Sequence, residues 1–259
     1  MLSPLDAFNP VLQFRRMPAP YQQPHWNAFI EIPPNAQRAV GHAPACWASK
    51  LPDVPPHYML PTGPLPRTQL RRICRDPRTP VLIAYLCVMA WGGQGPANAV
   101  LTWKSRTLIE PILTKLRAGG LDGLQAYQLF TAGRKSRFPG LGPSYFTKLI
   151  YFFSPPGRSL YIVDNYVLAS IEILTGLPHR YRATPGGYVA ACREIDGMRK
   201  ILSGSGARME ARLFSGKNKD WRRHANQQVL SRSGADGYRN QMMQVYSTGK
   251  DPIPPAAFW

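Results

Sequence analysis

A chain of 259 residues can form one large domain or two small lobes around a substantial core. Its 44% hydrophobic and 11% aromatic content excludes a disordered polymer. Thirty-two Lys and Arg against fourteen Asp and Glu leave a formal charge of +18, which points to a polyanionic partner, nucleic acid before an anionic membrane.

Taken in chain order, the first 66 residues hold fourteen of the 27 prolines. Proline fixes φ and removes a donor, so long helices are excluded there. Tyr21, Trp26, Phe29, Trp47 and Tyr58 are interleaved with the prolines. That mixture predicts an arm over residues 1–77 that packs on the body. A partly disordered tail is the other reading.

From Pro80 the pattern turns helical. Val81, Ile83, Ala84, Leu86, Cys87 and Ala90 predict a mostly buried helix ending at the loop Gly92-Gly93-Gln94-Gly95. Pro96 opens a second helix through Trp103, and Ile109, Ile112, Leu113 and Leu116 describe a third, closed by Gly119-Gly120. Further helices are predicted over Leu121 to Phe130, Gly142 to Phe153, Asn165 to Leu174 and Gly186 to Leu202. The one short strand expected is Leu160 to Val163. The predicted fold class is all-α, in two helical lobes, with a body over 78–215 and a basic extension over 216–259. That extension carries Lys217, Lys219, Arg222, Arg223, Arg232 and Arg239, read either as phosphate contacts or as a solvated surface.

The richest apolar stretch, Pro80 to Trp91, is too short to span a bilayer, and no secretory signal is read at the N-terminus. Cys46, Cys74, Cys87 and Cys192 form no CxxC pair, and the five histidines are dispersed. No metal site is therefore expected, and reduced thiols in a cytoplasmic protein are the expectation. Membrane and obligate protein partners are not expected.

The most informative stretch is Phe138-Pro139-Gly140-Leu141-Gly142. Two glycines spaced by one apolar residue suit a tight hairpin that lets backbone approach another surface. The helix that follows, opening with Pro143-Ser144-Tyr145, points free N–H groups outward and suits a phosphate. No Asp or Glu occurs from residue 124 to 163, whereas Arg134, Lys135, Arg137, Lys148 and Arg158 do. Asp164 ends that acid-free run just before an apolar helix. From the residues alone it is at least as much a helix cap as a catalytic acid.

Together these residues resemble the signature of the helix-hairpin-helix/Gly-Pro-Asp DNA glycosylase superfamily, in particular its 8-oxoguanine-glycosylase-fold branch with its defence-associated bacterial members. The hairpin FPGLG, the helix to Phe153, the loop Ser154-Pro155-Pro156-Gly157 and Ile162-Val163-Asp164 carry the likeness. The match spans roughly 78 to 176. The resemblance implies DNA as partner, hairpin contacts from Gly140, Leu141, Gly142, Ser144 and Tyr145, and Asp164 as the acid that stabilises the sugar cation. The family's lyase lysine would fall at Ser144, so a monofunctional glycosylase is expected. Lys148, one turn on, would line the pocket or act as an amine nucleophile, or else contact a phosphate or face solvent. Gln94 matches the place of the wedge that fills the gap left by a flipped base, or is a polar loop residue. Trp91, Trp103, Tyr127 and Phe130 are candidates for the base pocket, although aromatics at helical spacing read first as core, and Tyr145 suits either place. No cofactor is expected beyond a monovalent or divalent cation on hairpin carbonyls. A phage-modified base such as glucosylated hydroxymethylcytosine, excised in antiviral defence, is the expected substrate. The alternatives are repair of oxidised purines, a non-catalytic DNA-binding hairpin, and an RNA-binding or ribosome-associated protein.

Overall fold

The computed structural model describes residues 21–32, 41–132, 138–177 and 184–214, together with 221, 222, 224, 225 and 228. Within them run helices α1 (Gln23–Ile30), α2 (Pro44–Ala48), α3 (Arg67–Arg75), α4 (Val81–Trp91), α5 (Pro96–Lys104), α6 (Arg106–Arg117), α7 (Gly123–Thr131), α8 (Pro143–Phe153), α9 (Asn165–Thr175), α10 (Pro185–Ile201) and α11 (Gly206–Phe214). No strand occurs among the described residues, so the fold is all-α as the sequence predicts. No helix described is long and apolar enough to cross a membrane.

Local chemistry sets these helix starts. Asp122 and Gln125 form a reciprocal capping box on α7, Thr184 caps α10 ahead of Pro185, and Asp164 caps α9. Helix α9 stops at Gly176, whose left-handed φ of 68° suits a residue without Cβ.

Helix α4 is buried from Ala84 to Trp91, so it is apolar on every side and central rather than amphipathic. Helices α2, α3, α6 and α8 pack on it. Helix α8 also touches α3, α6 and α7, while α7, α9, α10 and α11 pack among themselves and α1 lies on α9. The helices therefore sort into two packing groups, with α8 between them. An aromatic stack joins the groups at the hairpin: Phe130 lies parallel to Phe146 at 5.4 Å, Phe138 meets Phe130 edge-on, and Tyr127 bridges Phe146 and Tyr188.

Two expectations change. Helicity begins before Pro80: α3 is an Arg-rich helix whose only fully buried apolar residues are Leu70 and Cys74, so its apolar signal is too thin to read. Leu160 to Val163 is irregular rather than a strand. It has no ladder partner, and side chains satisfy its backbone instead: Val163 N–H donates to Thr147 Oγ1 at 3.3 Å and the Tyr161 carbonyl accepts from the Tyr188 hydroxyl at 3.3 Å. Within residues 1–77, Phe29, Trp47 and Leu65 are buried in the common core. Phe29 also meets Trp221 at 5.2 Å, and His25 Nδ1 lies 2.9 Å from His224 Nε2. Residues beyond Gln228 lie outside the described part, as do Lys217, Lys219 and Arg223.

The hairpin is locked by its neighbours. Gly140 has φ +80°, and a Cβ there would stand 2.7 Å from the Asn98 carbonyl oxygen and 3.1 Å from Thr102 Oγ1. Gly140→Ala is expected to cost at least ~1–2 kcal/mol from the left-handed backbone alone, with the overlap adding to it. Urea unfolding checks this, and a wild-type midpoint would contradict the turn geometry.

Candidate active site

The hairpin sits where the sequence places it. Leu141 N–H closes the turn on the Phe138 carbonyl at 3.0 Å, and the Phe138 and Leu141 side chains are buried. Gly142 caps α8 without any side-chain cap, and a Cβ there would meet open space. The Gly142 carbonyl takes the Tyr145 and Phe146 N–H groups, whereas the Ser144 amide at the outer end of the helix has no backbone acceptor among the described residues. That end is a suitable seat for an anion. The carbonyls of Phe138, Gly140 and Gly142 each accept a protein donor, and among the described residues no group of three or more His, Cys, Asp or Glu could hold a metal.

Asp164 is 8% exposed. Its Oδ1 accepts from the Tyr166 and Val167 amides, both at 3.0 Å, so the cap reading of this residue holds. Both bonds end on one oxygen. Among the described residues Oδ2 accepts no hydrogen bond. Burial pushes the Asp164 carboxyl above the usual carboxylate range, against the pull of the Lys148 charge, the two amides and Arg222. Thr147 fixes where this loop lies: its hydroxyl donates to the Pro143 carbonyl at 2.8 Å within α8 and accepts from the amide of Val163.

Lys148 is partly buried, and its Nζ donates to the Ser144 carbonyl at 2.5 Å and stands 5.3 Å from the Tyr145 ring centroid. Gly92 makes room for it, because a Cβ at 92 would lie 3.2 Å from Lys148 Cδ. Burial holds the ammonium below the usual lysine value, while the Asp164 and Glu210 charges oppose that. Lys148 and Asp164 therefore stabilise each other's ionised forms across one small volume.

Two residues absent from the sequence reading complete this volume. Glu210, on α11, is 3% exposed and forms a buried ion pair with Arg67 of α3. Arg67 Nε also donates to the Tyr151 hydroxyl at 3.1 Å and lies over that ring at 4.2 Å. Glu210 feels both Asp164 and Lys148. The readable signal was its register: Gly206, Met209, Glu210 and Leu213 share the buried face of α11, in a chain with few acids. Arg222 adds a further positive charge, stacking on Tyr166 at 4.1 Å.

Other predicted site residues lie elsewhere. Gln94 is 1% exposed and turned inward: its Nε2 donates to Thr102 Oγ1 and to the Gly140 carbonyl, both at 2.9 Å. It clasps the loop to the hairpin and does not project as a wedge, because an inserting side chain would have to break both bonds. Trp91 is buried edge-on against Phe152. Phe130 is enclosed by Phe138 and Phe146. Both belong to the core rather than to a base pocket, as do Tyr127 and Trp103, whose Nε1 donates to the Pro52 carbonyl. Tyr145 alone of these aromatics is partly exposed beside Lys148. Arg158 is spent on the Gly119 and Leu121 carbonyls, and Arg134, Lys135 and Arg137 lie outside the described residues.

Comparison with known proteins gives one match. The family described as "Putative 8-oxoguanine DNA glycosylase OGG-like protein" matches residues 34–214, more than two thirds of the chain. It reaches beyond 78–176 in both directions, taking in α2 and α3 on one side and α10 and α11 on the other. No curated protein and no solved structure matches.

The cap and the acid at position 164 can be separated by substitution. Asn caps a helix about as well as Asp and cannot ionise. A carboxyl raised by burial contributes stability only while protonated, and this is lost as pH rises through its folded value, so the ionised form weighs against the fold at neutral pH. Asp164→Asn is therefore expected to melt at or above the wild-type temperature at neutral pH. Asp164→Ala, losing the cap, is expected to melt lower by about 1 kcal/mol, or about 2–4 °C in a chain of this size. Equal losses in both variants would remove the distinction.

Proposed function

Because the chain belongs to the OGG-like 8-oxoguanine DNA glycosylase family, we propose that it removes a modified base from DNA by cleaving the N-glycosidic bond, with Asp164 as its catalytic carboxylate. The observation that carries this reading is the buried Asp164 with Oδ1 anchored by two amides and Oδ2 left for a substrate. A carboxylate fixed before the reaction needs no reorganisation as positive charge develops on the sugar.

The steps follow from that placement. A base stacked in duplex DNA leaves the helix, while the outer end of α8 holds the neighbouring backbone. The bond between C1′ and the base nitrogen breaks, its electron pair leaves with the base, and Asp164 Oδ2 stabilises the oxocarbenium-like sugar. Water adds to C1′ and gives up a proton to the carboxylate, and that proton passes on to the departed base nitrogen, leaving an abasic site, a neutral free base and ionised Asp164. Ser144 stands where a lyase lysine would, which favours hydrolysis without strand cleavage. Lys148 reaches the same volume and supplies a hydrogen-bond donor to the extruded base.

Charged groups reach the buried Asp164 from three sides: Lys148, Arg222 and Glu210. Such a lining favours a base with several added polar groups, and we propose glucosylated hydroxymethylcytosine in phage DNA, with antiviral defence as the role. The family's description favours an oxidised purine as the second reading.

Wild-type protein is expected to leave alkali-labile sites in DNA carrying the correct base, from a panel of oxidised, alkylated, uracil-containing and glucosylated DNA. Asp164→Asn is expected to leave none above background. Cleavage of every DNA by neither protein would sink the catalytic reading, and cleavage of oxidised DNA alone would sink the phage-base reading. Strand nicking without alkali, abolished by Lys148→Ala, would overturn hydrolysis.

The pH profile follows from the same charges. Activity needs ionised Asp164, so its acid limb is expected above the ordinary aspartate value of about 3.9. Lys148→Gln removes a charge that holds the carboxyl down, so the acid limb of kcat/KM moves to higher pH. A limb unmoved in this variant would show that Lys148 and Asp164 do not interact.

A further inference from the structure

Helix α3 carries Arg67, Arg71 and Arg75 at four-residue spacing, which places them on one face about 6 Å apart along the axis. Arg67 is consumed by Glu210. The other two have no carboxylate partner. Arg71 lies over the Tyr151 ring at 4.8 Å and makes only a long bond to the Tyr151 hydroxyl, 3.3 Å, which Arg67 shares. Its Nε is buried with no acceptor. Arg75 has two such nitrogens, Nε and Nη2, and no hydrogen bond at all.

Other partly buried arginines of the described chain each have at least one carbonyl or carboxylate acceptor, although Arg117 Nη2 and Arg222 Nε are likewise buried without one. Arg117 donates to the Cys74 and Thr79 carbonyls, Arg158 to Gly119 and Leu121, Arg212 to Ile32, Arg106 to Trp103, and Arg199 pairs with Asp196. An arginine used for structure in this fold is therefore given a carbonyl or a carboxylate. Arg71 and Arg75 instead face each other with like charge, and that repulsion, after burial, holds the Arg75 guanidinium below its usual value. A buried donor without an acceptor weighs against the fold. Two guanidiniums kept together under that penalty are arranged for an anion supplied from outside.

The position relative to the active site says which anion. Tyr151 lies one turn beyond Lys148 on α8, and its hydroxyl receives both Arg67 of the Glu210 pair and Arg71. Arg71 thus shares Tyr151 with Arg67, whose partner Glu210 interacts with Asp164 and Lys148. We propose that Arg71 and Arg75 clamp one backbone phosphate of the DNA strand whose base enters the site, as a second anchor separate from the hairpin. Arginine's planar fork suits two oxygens of one phosphate. This assignment rests on DNA being the substrate, but not on base removal occurring.

The test uses the full chain carrying Asp164→Asn, so that DNA binds without turnover, with and without Arg71→Gln/Arg75→Gln. Duplex binding is measured over a range of salt. Losing one phosphate contact is expected to weaken binding at every sequence and to lower the slope of log K against log salt by about 1. Inorganic phosphate is expected to raise the melting temperature of the parent and not of the double variant. The double variant itself, relieved of repulsion, is expected to melt no lower than its parent, whereas a structural pair would melt lower. Arg71→Lys/Arg75→Lys keeps the charge and is expected to retain the salt slope while binding more weakly. Unchanged affinity and slope in the Gln variant would overturn the proposal, as would a lower melting temperature with no phosphate effect on the parent. Base release by wild type with no slope change would fail this site alone, and a slope change without base release would fail the proposed chemistry alone.

Discussion

Helix α8 cannot turn about its own axis, because Phe146, Leu149, Ile150, Phe152 and Phe153 are fully or almost fully buried against the helices on both sides. A rotation of even one residue position would bring Lys148 into the core and push a phenylalanine toward solvent, at a cost of several kcal/mol. Everything polar on α8 therefore has one address. Thr147 meets Val163, Lys148 meets the Asp164 volume, Tyr151 meets the arginines of α3, and the hairpin at its start is held by Phe138. The active-site geometry is a by-product of aromatic packing. Rigid helices hold a reacting group more closely than loops do.

The charges show a second constraint. A protein with a formal charge of +18 buries two carboxylates, Asp164 and Glu210, within reach of each other. Desolvation alone would neutralise both. Arg67 takes up Glu210 through a direct ion pair, whereas Asp164 has only amides on one oxygen and Lys148 and Arg222 at longer range. The two acids are thus treated differently by their surroundings. Glu210 is spent on a partner, and Asp164 is kept ionisable with an oxygen to spare. Removing Arg67 would leave Glu210 competing with Asp164 for the Lys148 charge, so the pair on α3 and α11 sets the charge balance around Asp164.

The sequence was legible where local chemistry decides the structure. The Gly140-Leu141-Gly142 hairpin, the start of α8 at Pro143 and the cap at Asp164 follow from turn and capping preferences of a few adjacent residues. It was illegible where partners are distant. Glu210 and Arg67 are far apart in sequence and meet only because α3 packs on α8 and α11 on α9, which no local pattern encodes. Gln94 misled for a related reason: a glycine-flanked glutamine reads as a projecting loop residue, and only the hairpin carbonyl and Thr102 reveal that it faces inward. Trp91 and Phe130 lie at helical spacing among apolar residues and went to the core, where large aromatics usually go. Leu160 to Val163 carried a strand-like run, but a strand needs a partner edge, and Thr147 and Tyr188 serve its backbone instead.

Asp164 and the hairpin are made early by the ribosome, whereas Glu210, Arg222 and the Trp221 that rests on Phe29 are made late. A nascent chain that has just exposed α8 can already present the hairpin and the start of α9, yet it still lacks the acid that occupies Arg67 and the guanidinium over Tyr166. Domains commonly fold as units while synthesis continues. For this fold the catalytic surroundings close only when α11 and the segment after it return to the helices made first. The order of manufacture thus separates the hairpin from the buried charges around Asp164, and an unfinished chain carries the first before the second.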